Sequence, residues 1–208
     1  MFPGIRRRKV ISFLVSGNGM LFATVVKSIS TGYIKAKIGC VVTDNQQARV
    51  IHRASALGVP CYIMDPAICN SKEEYDEKLI KIFEDFKSEL IVTAGYLRLL
   101  TPLFITKYRN QIINVHPSLL PSFPGLKSQM QALEYGVIVS GCTTHFIDDG
   151  IDSGPIIMQS PVWISGSDTV DSLSAKILSE ESKILSDSVR LYCEEKIKFA
   201  GRRITIIC

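Results

Sequence analysis

The chain has no run of about 18 apolar residues, the length a helix needs to cross a bilayer, so a membrane-spanning reading is set aside. Its cysteines, at positions 40, 61, 69, 142, 193 and 208, form no Cys-x-x-Cys pair. Such spacing speaks against a zinc site, a dithiol redox motif and a disulfide framework, and makes the reducing cytoplasm the default location. Charge is sparse as well: 21% of the 208 residues are charged, and the net formal charge is only +4. So mild an excess suits anionic small substrates and gives no support to nucleic-acid binding. The dense basic cluster Arg6-Arg7-Arg8-Lys9 precedes an apolar run, Val10 to Val15, too short for a signal peptide and without a cleavage-like site after it. Gly-x-Ser-x-Gly is missing, and no cysteine neighbours a histidine, so a covalent acyl-enzyme has no visible nucleophile. Internal repeats, low-complexity segments and an interdomain linker are also lacking. What remains, with 46% apolar residues, is an ordinary globular composition, and residues 1–208 read as one domain with a full core.

Lys9 to Val15 reads as a buried strand, followed by Ser16-Gly17-Asn18-Gly19 and an apolar-rich helix through Ser28. Lys37 to Thr43 is a second strand, closed by Asp44-Asn45; a helix follows from about Gln46 to Leu57, then a short strand from Cys61 to Met64. Ser71 and Glu74 have capping-box spacing, and Tyr75, Leu79, Ile82, Phe83 and Phe86 recur behind them at helical intervals. Leu90 to Ala94 is the next strand, Pro102 to Tyr108 a short helix, and Ile112 to His116 a strand again. A helix over Ser128 to Tyr135 leads to two longer strands, Val137 to Ile147 and Pro155 to Ile164, joined by a loop from Asp148 to Gly154. Ser167 or Asp168 caps a long helix carrying Val170, Leu173, Ile177, Ile184, Leu185 and Val189, and Lys196 to Cys208 forms a terminal hairpin around Gly201. Alternating strand and helix, with strands too apolar for a half-exposed sheet, predicts an α/β fold: a mainly parallel twisted sheet flanked by helices on both faces.

The chemistry concentrates where the apolar run Ile112-Ile113 meets Asn114-Val115-His116 and stops at Pro117. Side chains two apart on a strand share a face, so Asn114 and His116 point the same way, and Pro117 places His116 at the carboxyl end of the strand. Alone, the pair reads equally as a strand ending in two surface polar residues or as a core histidine. Four loops change that balance: Gly17 to Gly19, Gly95 to Arg98, Asn114 to Leu120 and Asp148 to Gly154 are all expected at carboxyl ends of strands, where a parallel sheet gathers them at one edge. The glycine turn suits an anion at a helix amino terminus, Arg98 a planar or anionic ligand, and Asp152 the orienting and charging of His116. An amide donor, an imidazole, a carboxylate and an anion loop suit transfer or hydrolysis of an acyl group through a tetrahedral intermediate, without a covalent enzyme adduct.

Ile113-Asn114-Val115-His116-Pro117-Ser118-Leu119-Leu120-Pro121, together with His145-Phe146 and Asp152-x-Gly154-Pro155, resembles the folate-dependent formyltransferases. The likeness is to the phosphoribosylglycinamide formyltransferase family of purine synthesis and runs over residues 9–193. The resemblance implies a Rossmann-like formyltransferase fold without a dinucleotide fingerprint, 10-formyltetrahydrofolate as co-substrate, and neither metal nor nicotinamide. It implies Asn114, His116 and Asp152 as the catalytic trio. Leu97, Arg98, Leu99 and Leu100 match the stretch lining the folate pocket, with Asn114 beside it, Lys72 sits at the position of a basic folate contact, and the loop from Asp148 to Asp152 lies over the pterin. Gly17-Asn18-Gly19, continued by Met20 and Leu21, matches the loop for the acceptor's phosphate, and Glu181 the glutamate near the amine. Two departures stand out: Met20-Leu21 replaces the family's Ser-Asn, and Lys127-Ser128-Gln129-Met130 replaces a segment that carries histidines.

The expectation is therefore formyl transfer to the amine of glycinamide ribonucleotide by a monomer or homodimer whose partners are small molecules, not nucleic acid or membrane. A formyltetrahydrofolate hydrolase and methionyl-tRNA formyltransferase share the trio. By resemblance the first carries an extra amino-terminal domain, for which a first strand starting at Lys9 leaves no room, and the second a further carboxyl-terminal one. A non-catalytic folate- or nucleotide-binding module would keep the loops and show no turnover.

Overall fold

The structure is a computed structural model and describes residues 7–207; Arg6 of the basic cluster and Cys208 of the terminal hairpin lie outside the described residues. In chain order the elements are β1 (Lys9–Leu14), α1 (Met20–Ser30), β2 (Ala36–Thr43), α2 (Val50–Ala56), β3 (Cys61–Ile63), α3 (Lys72–Asp85), β4 (Leu90–Thr93), α4 (Pro102–Lys107), β5 (Ile112–His116), α5 (Ser128–Tyr135), β6 (Val139–Phe146), β7 (Ile156–Trp163), α6 (Val170–Cys193), β8 (Ile197–Ala200) and β9 (Arg203–Ile206). Seven strands form one sheet in the order β3-β2-β1-β4-β5-β6-β7, and β8 and β9 make a separate hairpin. From β3 to β5 all neighbours are parallel, whereas β5–β6 and β6–β7 are antiparallel. The sheet is thus α/β and mainly parallel, as the alternation of elements predicts.

Strand alternation divides the core in two. Ile11 and Phe13 of β1, and Val15 just after it, face one side with Ile113 and Val115, covered by Phe22 and Val25 of α1, Val50 and Ala54 of α2, and Leu185 and Val189 of α6. Leu14, Val42, Ile91 and Ile112 face the other side, under Tyr75, Leu79 and Phe83 of α3 and Phe104 of α4. Asn114 and His116 share parity with Ile112, so they belong to the α3–α4 side, at the end of β5 beyond the packed core.

Element ends show where local hydrogen bonding outranks periodicity. The second helix begins at Val50, not Gln46, because the Asn45 side chain accepts from Gln47 N (2.9 Å) and turns the chain first. Ser71 caps α3 by accepting from Glu74 N at 3.0 Å, but Glu74 returns to Asn70 N (2.8 Å), one residue earlier than a capping box requires. Thr169 is the cap of α6 in place of Ser167 or Asp168: its hydroxyl accepts from Ser172 N (3.2 Å) while Ser172 Oγ accepts from Thr169 N (2.9 Å). Asp168 instead braces the preceding turn through Ser165 N (2.7 Å). No helix among the described residues is long and apolar enough to span a membrane.

Reversal at β6 alters how the last site loop arrives. His145 lies opposite Asn114, and Ile147 N donates to Ile112 O (3.0 Å), so β6 ends beside the start of β5. The Asp148–Gly154 loop therefore does not leave from the same edge as the other three loops. It departs from the opposite end and folds back across the sheet face, which corrects the expectation of four loops at carboxyl edges.

Candidate active site

Next to Asn114 and His116 lies a cavity of about 760 Å³. Leu97, Leu99, Leu100, Ile105, Ile147 and Ile151 supply apolar wall, and Thr93, Asn114, His116, His145 and Asp152 a polar end. Beyond that end Leu21 and Glu181 also line it.

The returning loop delivers Asp152 to both residues of β5. Asp152 Oδ2 lies 3.2 Å from His116 Nδ1, and Oδ1 accepts from Asn114 Nδ2 at 3.5 Å. Its backbone is left-handed (φ 47°), a conformation an aspartate tolerates better than most residues. Asp148 Oδ1 closes the loop internally, accepting from Gly150 N (3.2 Å) and Ser153 Oγ (2.5 Å). At the far end the chain passes so close to β6 that a Cβ on Gly154 would lie 1.8 Å from the Phe146 carbonyl. Gly125 N, from the turn after β5, donates to Asp152 Oδ2 at 2.8 Å. Burial pushes the Asp152 carboxyl up, but His145, the Gly125 N–H and the charge of His116 outweigh it and hold the pKa below the usual carboxylate value.

His116 is 5% exposed, and both ring nitrogens have partners. Nε2 donates to the Phe123 carbonyl at 2.8 Å; since a carbonyl only accepts, this nitrogen carries a proton and Nδ1 is the one turned to Asp152. Phe123 is itself left-handed (φ 52°), an unusual state for a bulky residue, and its backbone thereby presents the oxygen to the ring. Asp152 favours the imidazolium, as expected from the sequence, and so does the Phe123 carbonyl. Burial nevertheless prevails, and the His116 pKa falls below its ordinary value, which corrects the picture of a histidine held charged.

Sequence reasoning gave His145 no role. Its Nε2 lies 3.1 Å from Asn114 Nδ2 and 3.6 Å from Asp152 Oδ1, while Nδ1 donates to the Phe146 carbonyl at 2.9 Å. A neutral ring then offers Nε2 as an acceptor to Asn114, and a charged one offers a proton to Asp152. Thr93, also missed, donates from Oγ1 to Asn114 Oδ1 (2.8 Å) and fixes which way the amide points. His145 was visible as part of a motif, but its contact with Asn114 needs the antiparallel register, which the motif does not carry.

Of the other expected residues, Leu97, Arg98, Leu99, Leu100 and Asp148 line the cavity. Arg98 stacks its guanidinium on the Tyr75 ring, 4.9 Å from the centroid, with no hydrogen bond to that group among the described residues. Lys72 is the exposed first residue of α3 and does not line the cavity. Gly17, Asn18, Gly19 and Met20 also stand outside the lining, although Leu21 belongs to it. Gly19 is the left-handed residue before α1 (φ 69°), and a Cβ there would meet Val50 Cγ2 at 2.6 Å, so the turn requires glycine on two counts. Lys127, Ser128 and Gln129, in the segment without histidines, line the cavity too. Glu181 is 8% exposed, and burial alone raises its carboxyl pKa to about 7.

A family model described as formyl transferase matches residues 8–189. A curated relative from Bacillus subtilis (strain 168), named phosphoribosylglycinamide formyltransferase, is 37% identical over 175 residues, covering 84% of this chain and 90% of its own. The protein of that name from Escherichia coli (strain K12) is 31% identical over 188 residues, covering 90% of this chain and 89% of its own. Among solved structures, glycinamide ribonucleotide transformylase 1 from Symbiobacterium toebii superposes with a TM-score of 0.95 at 39% identity, over 97% of this chain and 95% of that one.

Proposed function

The chain belongs to the formyl transferase family, and on that premise we propose that it moves the formyl group of 10-formyltetrahydrofolate to the amine of glycinamide ribonucleotide. The observation that carries this reading is convergence: Asn114 Nδ2 and His116 Nδ1 approach the two oxygens of one carboxylate, at the polar end of an apolar cavity. A donor that holds a carboxylate oxygen in the free protein, as Asn114 does, is suited to hold an oxyanion during turnover. The cavity also fits the co-substrate, since 760 Å³ walled by leucine and isoleucine accepts a flat heteroaromatic system, with backbone and polar groups at the rim.

The residues then divide the work. Thr93 and His145 fix the Asn114 amide so that an N–H faces the formyl oxygen. When the neutral amine adds to the formyl carbon, that oxygen gains charge, and the Asn114 N–H donates to it. Asp152 takes the amine's proton, directly or through water, and passes it to His116 Nδ1, 3.2 Å away, which delivers it to the departing folate nitrogen. One proton leaves the amine and one reaches the leaving group, so the exchange balances without an outside acid or base. The Phe123 carbonyl keeps the other nitrogen protonated throughout, which leaves Nδ1 as the working atom.

The test is an assay of formyl transfer with and without glycinamide ribonucleotide. Tetrahydrofolate should appear together with formylated ribonucleotide and only in its presence. Release of formate at the same rate without the acceptor would make the protein a hydrolase.

A further inference from the structure

The Gly17–Gly19 turn has α2 locked against it. Val50 N donates to the Gly17 carbonyl (3.2 Å), and Arg53 Nε donates to the Asn18 carbonyl at 2.7 Å. The Nη groups of Arg53 have no hydrogen-bond acceptor among the described residues. Arg49, four residues earlier at the N-cap of α2 and with helical backbone angles, falls on the same face by spacing. On the other side of the turn, α1 starts without any side-chain cap, and Met20 and Leu21 add no polar group. Beyond Leu21, in the same cavity wall, stands Glu181, more than nine-tenths buried and without a hydrogen-bond partner among the described residues. A buried carboxyl left unpartnered at a cavity marks that end as built for a ligand carrying donor groups.

Resting on the function proposed above, we propose that Arg53, reinforced by Arg49, is the cationic partner of the acceptor's phosphate. The first N–H groups of α1 meet the phosphate oxygens as an amino-terminal anion site. Arg53 then supplies, from the neighbouring helix, the side-chain donors that positions 20 and 21 lack. A guanidinium suits the task because one edge can hold the Asn18 carbonyl while the other presents two donors to a phosphate. The amine and hydroxyl end of the same acceptor faces Glu181.

The experiment compares the native enzyme with Arg53→Gln and Arg53→Lys, using glycinamide ribonucleotide, its phosphate-free riboside and inorganic phosphate as a competitor. Arg53→Gln should raise KM for the ribonucleotide at least tenfold. KM for 10-formyltetrahydrofolate, KM for the riboside and kcat at saturation should change by less than about threefold. Inhibition by phosphate should weaken in parallel, and Arg53→Lys, which keeps the charge, should recover most of the loss. Equal increases in KM for ribonucleotide and riboside would make Arg53 a brace of the turn and overturn the proposal, as would an unchanged ribonucleotide KM in both variants. Should the native enzyme fail to formylate the ribonucleotide at all, the functional reading itself falls, and that outcome is read before any variant is made.

Discussion

At the scale of single residues, the trio makes separable demands. Asn114 provides a donor for the oxyanion and His116 a proton, so Asn114→Ala should lower kcat by roughly 10²–10³ and His116→Ala by roughly 10²–10⁴, both with little change in KM for the folate. Near-normal kcat in His116→Ala would reduce that histidine to a structural role. Asp152 is tested without assaying turnover. Its charge is one of the influences raising the His116 pKa against burial, so the near-isosteric Asp152→Asn should move the His116 imidazole titration, followed by NMR, to lower pH. An unmoved or higher midpoint would mean that the 3.2 Å contact carries no electrostatic weight. That Asn114 and His116 share a face at a strand end was legible in the sequence because a strand's period of two and a terminating proline are local facts, whereas Asp152, in a distant loop, rested on the resemblance. Which nitrogen of His116 works was not legible, because it depends on a carbonyl seven residues downstream whose left-handed backbone no composition rule foretells.

Elements decide which residues can meet. Every strand of the main sheet was readable from apolar runs, and the parallel pairing from β3 to β5 from the alternation of elements, but the reversal at β6 was not. The switch to antiparallel pairing at β6 brings His145 opposite Asn114 and makes the Asp148–Gly154 loop cross the sheet face to deliver Asp152. Cap residues were misassigned by one or two positions for a similar reason, since Ser, Thr and Asp neighbours compete for the same N–H groups, as at Thr169 and Asp168. Helix α6 carries a prediction of its own. Glu181 sits on its buried face with a carboxyl pKa raised to about 7, so the folded chain binds that proton more tightly than the unfolded chain. The stability this gives is fully present below the ordinary carboxyl pKa and is lost as pH rises through about 7, where ionisation forces a charge into the helix face. Glu181→Gln has no such cost. Its melting temperature should match the native value near pH 4.5 and exceed it at pH 8 by roughly 6–12 °C, from about 3 kcal/mol. A difference independent of pH would show that Glu181 is ionised in the fold or that the gain comes from packing alone.

Over the whole molecule, the parallel half of the sheet makes a stable floor and the antiparallel half returns a loop over it, so the site lies between a rigid element and three less regular ones. Residues 97–100 follow β4, residues 121–127 follow β5, and residues 148–154 join β6 to β7. All three contribute to one cavity or to the contacts of His116 and Asp152. A ligand filling that cavity therefore touches segments that lie outside the strands and helices, and the free energy of binding should be felt as local ordering there. With a non-reactive folate analogue at about 100 times its Kd, linkage adds about 2.7 kcal/mol, which for a chain of this size raises the melting temperature by roughly 5–10 °C. Amide hydrogen exchange should slow in the three segments and stay unchanged in the β8–β9 hairpin, which lies outside the main sheet. Protection spread evenly over the chain would instead mean that the ligand stabilises only against global unfolding. Protection confined to residues 9–30 would place the folate at the glycine turn and exchange the two substrate sites assigned here.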